Sequence, residues 1–188
     1  MQRIRWNKTR AGIAALSLLL LYLSLTARTM TLKYARIVDA KPKVVWEYVA
    51  DFSNIKKINP SILDFSIIDE SGTYDKWSYS VTYTERLSQW PYLYNVGHGH
   101  FQVRPINEKV HSYIIESKHK TCFFSGFLCY KTISDMTFKP TVDDRTTCEE
   151  TVQYQCPGLF ALFCRAEVSY QRTAIMDNLR NHFTWKRS

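Results

Sequence analysis

Residues 41–62 read KPKVVWEYVADFSNIKKINPSI and predict two short helices. Pro42 stands where proline favours a helix start, and the apolar residues after it recur at helical spacing. The segment ends at Asn59 and Pro60, because proline disfavours helical geometry in the residue before it. A break near Ser53, whose side chain can cap a helix, divides the segment in two.

The sequence that follows alternates with a period of two, which is typical of strands with one covered face. In residues 76–86, aromatic and branched side chains alternate with Ser and Thr. A long helix is predicted at 162–183, where Val168, Ile175 and Leu179 share one stripe. The other predicted strands are 31–39, 63–70, 92–104, 110–120, 127–139 and 146–156.

This order of elements predicts an α+β helix-grip fold. Two short helices follow the first strand, and a curved antiparallel sheet of about seven strands surrounds a long C-terminal helix. A sheet that curls cannot contact one straight helix along its whole length. We therefore expect a space between sheet and helix, which is a common place for a ligand.

The charge of the chain is concentrated at its N-terminus. The 188 residues carry a net charge of +8, from 25 basic and 17 acidic side chains. Residues 1–28 contain five of the basic residues and no acidic one, which leaves 20 basic against 17 acidic groups. The remaining basic residues form no stripe interleaved with aromatic residues, so we predict no nucleic-acid partner.

The charged N-terminus precedes an apolar run, Ala11 to Thr26, and predicts a signal peptide or signal-anchor over 1–28. The run of 16 residues forms roughly 24 Å of hydrophobic helix, against roughly 30 Å of bilayer core. Signal-peptide cleavage after Ala27 would favour a small residue at the position that Leu25 occupies. An uncleaved transmembrane helix is therefore favoured. The domain, 29–188, is then luminal or extracellular, or secreted if cleavage occurs.

All five cysteines lie in the last third of the chain, with spacings that match neither zinc fingers nor redox motifs. Two disulfides can be chosen among them in 15 ways. One hypothesis pairs Cys122 with Cys129 and Cys156 with Cys164, so that each bond closes a short loop. Cys148 then stays free.

In a meander, the connections at 88–92, 122–129 and 156–164 share one end of the sheet. They are rich in aromatic residues, whereas the opposite connections are polar. This aromatic rim predicts a membrane-docking surface or ligand gate, and the alternative is that its side chains fold inward as core. Its members are Trp90, Tyr92, Phe123, Phe124, Phe127, Leu159, Phe160 and Phe163.

Residues 44–60 and the terminal segment 166–183, AEVSYQRTAIMDNLRNHF, resemble the START-like or birch-pollen-allergen superfamily. In its N-terminal pattern a hydrophobic-Trp-x-hydrophobic helix leads to Asp-Phe and a short helix ending in Asn-Pro. The superfamily includes polyketide cyclases and coenzyme Q-binding proteins. The resemblance covers roughly residues 31–185 and implies binding or transfer of a hydrophobic ligand, with no shared catalytic triad.

We expect a membrane-anchored or secreted monomer that binds a lipid or other hydrophobic small molecule without a cofactor. An alternative is a cyclase or hydrolase that uses His98, His100 or Glu150 as acid or base, and another is a non-binding interaction module. His98 and His100 share one strand face, but spacing places no third metal ligand, so no metal site is predicted. The expected cavity residues are Trp77, Tyr79, Tyr83, Phe101, Tyr113, Met136, Glu150, Tyr154 and Ile175.

Overall fold

A computed structural model describes residues 8–123, 126 and 128–185. Within these ranges the chain forms seven strands and four α-helices. The helices are α1 (Lys8–Leu25), α2 (Pro42–Ala50), α3 (Phe52–Ile58) and α4 (Ala161–Trp185). The strands are β1 (Ala27–Val38), β2 (Ile62–Thr73), β3 (Lys76–Arg86), β4 (Tyr94–Asn107), β5 (Ser112–Phe123), β6 (Leu128–Pro140) and β7 (Thr146–Pro157).

The strands form one antiparallel sheet in the order β1-β7-β6-β5-β4-β3-β2. Strands β2 to β7 therefore make a meander, and β1 joins its β7 edge. This arrangement, with α4 against the sheet, confirms the predicted helix-grip fold. The connections β3–β4, β5–β6 and β7–α4 lie at one end, which we call the aromatic end, and we call the other end the polar end.

The two short helices form as predicted, with one change in the capping residue. Pro42 occupies the first turn of α2, where its missing N–H leaves no hydrogen bond unmade. The break between the helices falls at Asp51, whose side chain accepts a hydrogen bond of 2.8 Å from the backbone N–H of Ser53. Asp51 is therefore the cap of α3, and the prediction that Ser53 has this role was wrong.

The main hydrophobic core fills the polar end of the fold. Helix α2 covers the concave face of the sheet there, and the fully buried Trp46 stacks on Tyr113 with ring centroids 4.6 Å apart. The C-terminal half of α4 adds Met176 and Leu179 to the same core. A smaller cluster around Val152 packs under the N-terminal half of α4. The space between these two clusters is where a cavity remains.

Helix α1 exposes apolar side chains around its whole circumference, including Leu18, Leu21 and Tyr22. It ends next to the turn at Gly158, whose N–H donates to the carbonyl of Thr26. Among the residues that the structure describes, no helix is both long enough and apolar enough to cross a membrane. The expected transmembrane helix is therefore unsupported. The apolar part of α1 begins only after Arg10 and gives roughly 22 Å of helix.

The structure contains disulfides between Cys122 and Cys129 and between Cys156 and Cys164. Cys148 is a buried free cysteine. Two disulfides in a domain of this size are typical of an oxidising, extracellular or secretory environment.

Candidate ligand-binding cavity

A cavity lies between the sheet and the N-terminal half of α4, toward the aromatic end. Its volume is about 170 Å³. The walls come from the aromatic-end halves of β3 to β7, from α2 and α3, and from α4. Most wall side chains are apolar or aromatic, among them Phe52, Ile55, Ile62, Leu87, Ile115, Phe123, Tyr130, Phe163 and Val168.

The structure brings six of the nine expected cavity residues to this wall: Tyr83, Phe101, Met136, Glu150, Tyr154 and Ile175. The other three point to the same side of the sheet but lie nearer the polar end, where α2 covers them. Tyr113 lies against Trp46, and the Tyr79 hydroxyl donates to the carbonyl of Ala50 at 2.8 Å. Trp77 and Tyr79 border a separate, more open groove beside α2 instead. The prediction that Trp77, Tyr79 and Tyr113 line the cavity was therefore wrong.

A buried ion pair forms one polar part of the wall. Glu150 on β7 is only 3% exposed, and its Oε1 accepts hydrogen bonds from Ser134 and from Nη1 of Arg172 on α4, the latter at 3.1 Å. Oε2 of Glu150 and Nε of Arg172 are buried without a hydrogen-bond partner among the described residues. Unpaired atoms on buried charged groups are costly, so this part of the wall can receive a polar group.

A second polar group lies nearer the β3–β4 connection. The buried Glu85 accepts a hydrogen bond of 2.9 Å from the Asn95 side chain, and burial raises the pKa of Glu85 to about 7. Glu167 on α4 accepts hydrogen bonds from the backbone N–H and the hydroxyl of Ser88, and Gln171 donates to the same carboxylate. Glu167 thereby fastens the β3–β4 connection to α4.

His119 on β5 connects two wall residues. Its Nδ1 lies 3.0 Å from the Tyr83 hydroxyl, and its Nε2 lies 2.9 Å from the Ser117 hydroxyl. Burial, with a smaller contribution from the positive charge of Arg172, lowers the pKa of His119 to about 3. The ring is therefore neutral at physiological pH, with both nitrogens engaged. This suits a structural or ligand-contacting histidine better than a general acid.

His98 and His100 lie on the outer face of the sheet and are exposed to solvent. Their Nδ1 atoms lie 3.0 Å from the hydroxyls of Thr82 and Ser80 on β3. The proposal that either histidine acts as acid or base in the cavity was therefore wrong. The residues of β4 that alternate with them and face the inner side of the sheet are Gly97 and Gly99. Among the described residues, no group of three or more His, Cys, Asp or Glu side chains is arranged to hold a metal ion.

Sequence reasoning missed most of the polar wall, although the alternation pattern contained the signal. Glu85 is two residues from Tyr83, and His119 is in phase with Tyr113 on β5. Ser134 is likewise two residues from Met136. Arg172 lies between Val168 and Ile175 on the predicted stripe of α4. Each of these residues shares a face with a residue that was expected to point inward.

The aromatic rim divides into an outer and an inner part. Trp90, Tyr92, Leu159 and Phe160 expose more than a third of their surface, and Leu162, which was not predicted, is 84% exposed. The ring centroid of Trp90 lies 4.7 Å from that of Phe163. Phe123 and Phe163 are partly buried and line the cavity. The remaining two predicted rim residues, Phe124 and Phe127, lie outside the described residues.

Comparison with known proteins gives a clear result at the level of structure alone. No family model matches the chain, and no curated protein matches its sequence. Many solved structures match the chain. The Zhui aromatase/cyclase from a Streptomyces species is 12% identical over 86% of this chain and 97% of its own, with a TM-score of 0.58.

Two further structures extend the comparison. A START superfamily protein from Mycobacterium smegmatis is 11% identical over 82% of this chain and 97% of its own, with a TM-score of 0.57. Ara h 8.0201 is 12% identical over 84% of this chain and 99% of its own, with a TM-score of 0.52. At this identity the likeness concerns the fold, and it agrees with the resemblance in residues 44–60 and 166–183. The chain has the START-like, birch-pollen-allergen-like helix-grip fold.

Proposed function

We propose that this protein binds a hydrophobic small molecule or lipid in the cavity between the sheet and α4. One observation carries the proposal: an apolar cavity contains buried polar atoms of Glu150, Arg172 and Asn95 that have no partner among the described residues. Apolar walls with a few oriented polar groups are typical of small-molecule sites. Structural neighbours that include a START superfamily protein and an aromatase/cyclase support the same class of ligand.

The proposal is tested by filling the cavity with a larger side chain and measuring ligand binding. Met136 points inward from β6, and Ile133 points outward from the same strand and is 43% exposed. We expect Met136→Trp to abolish binding of a neutral apolar fluorophore such as N-phenylnaphthylamine, and Ile133→Trp to leave it unchanged. Native mass spectrometry and lipid extraction of the wild-type protein then identify the bound molecule. A folded Met136→Trp protein that binds the fluorophore as well as the wild type would refute the proposal.

Binding is favoured over acid-base catalysis by His98, His100, Glu150 or His119. His98 and His100 lie outside it, and Glu150 is held by Arg172 and Ser134. His119 has both ring nitrogens engaged and a pKa lowered to about 3. A general acid or base works best with a pKa near the working pH and a free site for the proton.

We further propose that α1 and the outer rim associate with a membrane. Helix α1 enters the domain at the aromatic end, because Ala27 at the start of β1 pairs with Pro157 at the end of β7. The exposed side chains of Leu159, Phe160 and Leu162 lie at this same end. Exposed apolar side chains in this number are typical of lipid contact, and a ligand would then pass between bilayer and cavity without crossing water.

Membrane association is tested on the full chain with vesicles of neutral phospholipid. We expect Leu18→Glu combined with Leu21→Glu to reduce co-sedimentation with vesicles. Replacement of Leu159, Phe160 and Leu162 by serine is expected to slow transfer of a fluorescent lipid between vesicles. The control replaces Val142 and Ile106, which are exposed at the polar end, by serine. Equal transfer rates in rim and control variants would exclude a role for the rim.

A further inference from the structure

The buried ion pair between Glu150 and Arg172 is only half satisfied. Nη1 of Arg172 and the hydroxyl of Ser134 both donate hydrogen bonds to Oε1 of Glu150, while Oε2 receives no hydrogen bond from any described residue. Nε of Arg172 is likewise buried without a partner there. One acceptor and one donor, on two contacting side chains of the cavity wall, thus remain unpaired.

The charges around the cavity decide which ligand group fits these two atoms. Arg172 is the only Lys or Arg side chain among the described wall residues, and Glu150 already neutralises it. Glu85 and Glu167 are further carboxyl groups in the same wall. A ligand carboxylate would compete with Glu150 for Arg172 and add an anion to a wall that has no second cation. An alkane would leave both open atoms unpaired.

A hydroxyl group can pair with one acceptor and one donor, because it donates one hydrogen bond and accepts others. We propose that the Glu150–Arg172 pair is the subsite for the hydroxyl group of a neutral, hydroxylated apolar ligand. The ligand O–H donates to Oε2 of Glu150, and the ligand oxygen accepts from Nε of Arg172. The inference rests on the proposed binding function and names the chemical class of its ligand.

The test compares decanol, decanoate and decane as competitors for N-phenylnaphthylamine on the full chain. The wild type is expected to bind decanol at least about tenfold more tightly than decanoate or decane. In the double variant Glu150→Leu with Arg172→Met, no lone buried charge remains, and we expect the preference for decanol to disappear while the fluorophore still binds. The matched control, Glu149→Leu with Lys139→Met, removes an exposed ion pair of 2.7 Å on the outer face of the sheet and should keep the preference.

The possible failures are distinguishable. Suppose that the wild type binds the fluorophore and that Met136→Trp abolishes this binding. If the wild type then binds decanoate or decane as tightly as decanol, only the hydroxyl subsite is wrong. The same holds if the folded double variant keeps the preference for decanol. If the fluorophore fails to bind the wild type, or if Met136→Trp leaves its binding unchanged, the cavity is not the binding site and both proposals are wrong.

Discussion

The Tyr83 hydroxyl on β3 and Nδ1 of His119 on β5 lie 3.0 Å apart, although β4 runs between their strands. Gly97 on β4 makes this contact possible. A Cβ atom there would lie 2.7 Å from the Tyr83 hydroxyl oxygen and closer still to the ring. Tyr83 therefore reaches across β4 to His119, and this part of the cavity wall depends on the absence of a side chain at Gly97.

Gly97→Ala is expected to destabilise the protein by about 1–3 kcal/mol, because the tyrosine ring or the strand must move. Chemical denaturation measures this cost. Gly158→Ala is the control, since its Cβ atom would meet its nearest neighbour at an ordinary 3.5 Å. Equal stabilities for the two alanine variants would mean that Tyr83 moves aside without cost.

Two buried groups in the cavity wall are expected to oppose each other in the pH dependence of stability. His119 has a pKa of about 3 in the folded protein, below its unfolded value of about 6.5. Its contribution is therefore present above pH 6.5 and is lost as the pH falls toward 3. Glu85 has a folded pKa of about 7, above its ordinary 4.5. Its contribution is present below pH 4.5 and is lost as the pH rises toward 7.

Single substitutions separate these effects between pH 4.5 and 6.5. The free energy of unfolding of Glu85→Gln minus that of the wild type should increase with pH. The slope of this difference is at most about 1.4 kcal/mol per pH unit, which corresponds to one proton. For His119→Gln the same difference from the wild type should decrease with pH, with a slope of similar size. Urea titrations at several pH values measure both slopes. Parallel curves for the wild type and both variants would show that neither group titrates abnormally.

Glu167 is expected to control the opening of the β3–β4 connection. Its carboxylate accepts hydrogen bonds from the Ser88 N–H at 3.0 and 2.9 Å and from the Ser88 hydroxyl at 2.6 Å. Glu167→Ala removes all of these, so the Ser88 amide should exchange with deuterium at least about tenfold faster. Glu149→Ala, on the outer face, should leave this rate unchanged. No change in Glu167→Ala would mean that other contacts hold this connection.

Cys148 is expected to resist thiol reagents in the folded protein. It is completely buried, and burial raises the pKa of its thiol to about 12, so little thiolate exists at neutral pH. Its modification rate should therefore follow the unfolding rate as denaturant is added. Mass spectrometry of alkylated protein measures this. Rapid labelling under native conditions, with both disulfides intact, would contradict the burial of Cys148.

Strand order, helix positions and the existence of a cavity could be predicted from sequence because they depend on local patterns. The alternation in β3 determines which side chains point inward, and Tyr83 is one of them. How far α2 extends over the sheet depends on tertiary packing. Tyr113 has the same orientation as the cavity residues on β5, yet it contacts Trp46 instead of open space.

The polar contacts of the cavity were harder to predict, since they join residues distant in sequence. Glu150 and Arg172 are 22 residues apart, and Tyr83 and His119 are 36 apart. Alternation gives the face of each residue but not the partner across the cavity. For His98 and His100, residue type suggested chemistry, but their phase relative to Phe101 would have placed them on the outer face.

The junction between α1 and β1 has a mechanical consequence. A single residue, Thr26, separates the end of α1 at Leu25 from β1, and β1 pairs with β7 along twelve residues. Tension that pulls Ala27 outward along the strand direction loads this ladder in shear, so many hydrogen bonds must yield together. The attachment of α1 should therefore withstand considerably more force than a flexible linker to a terminal loop.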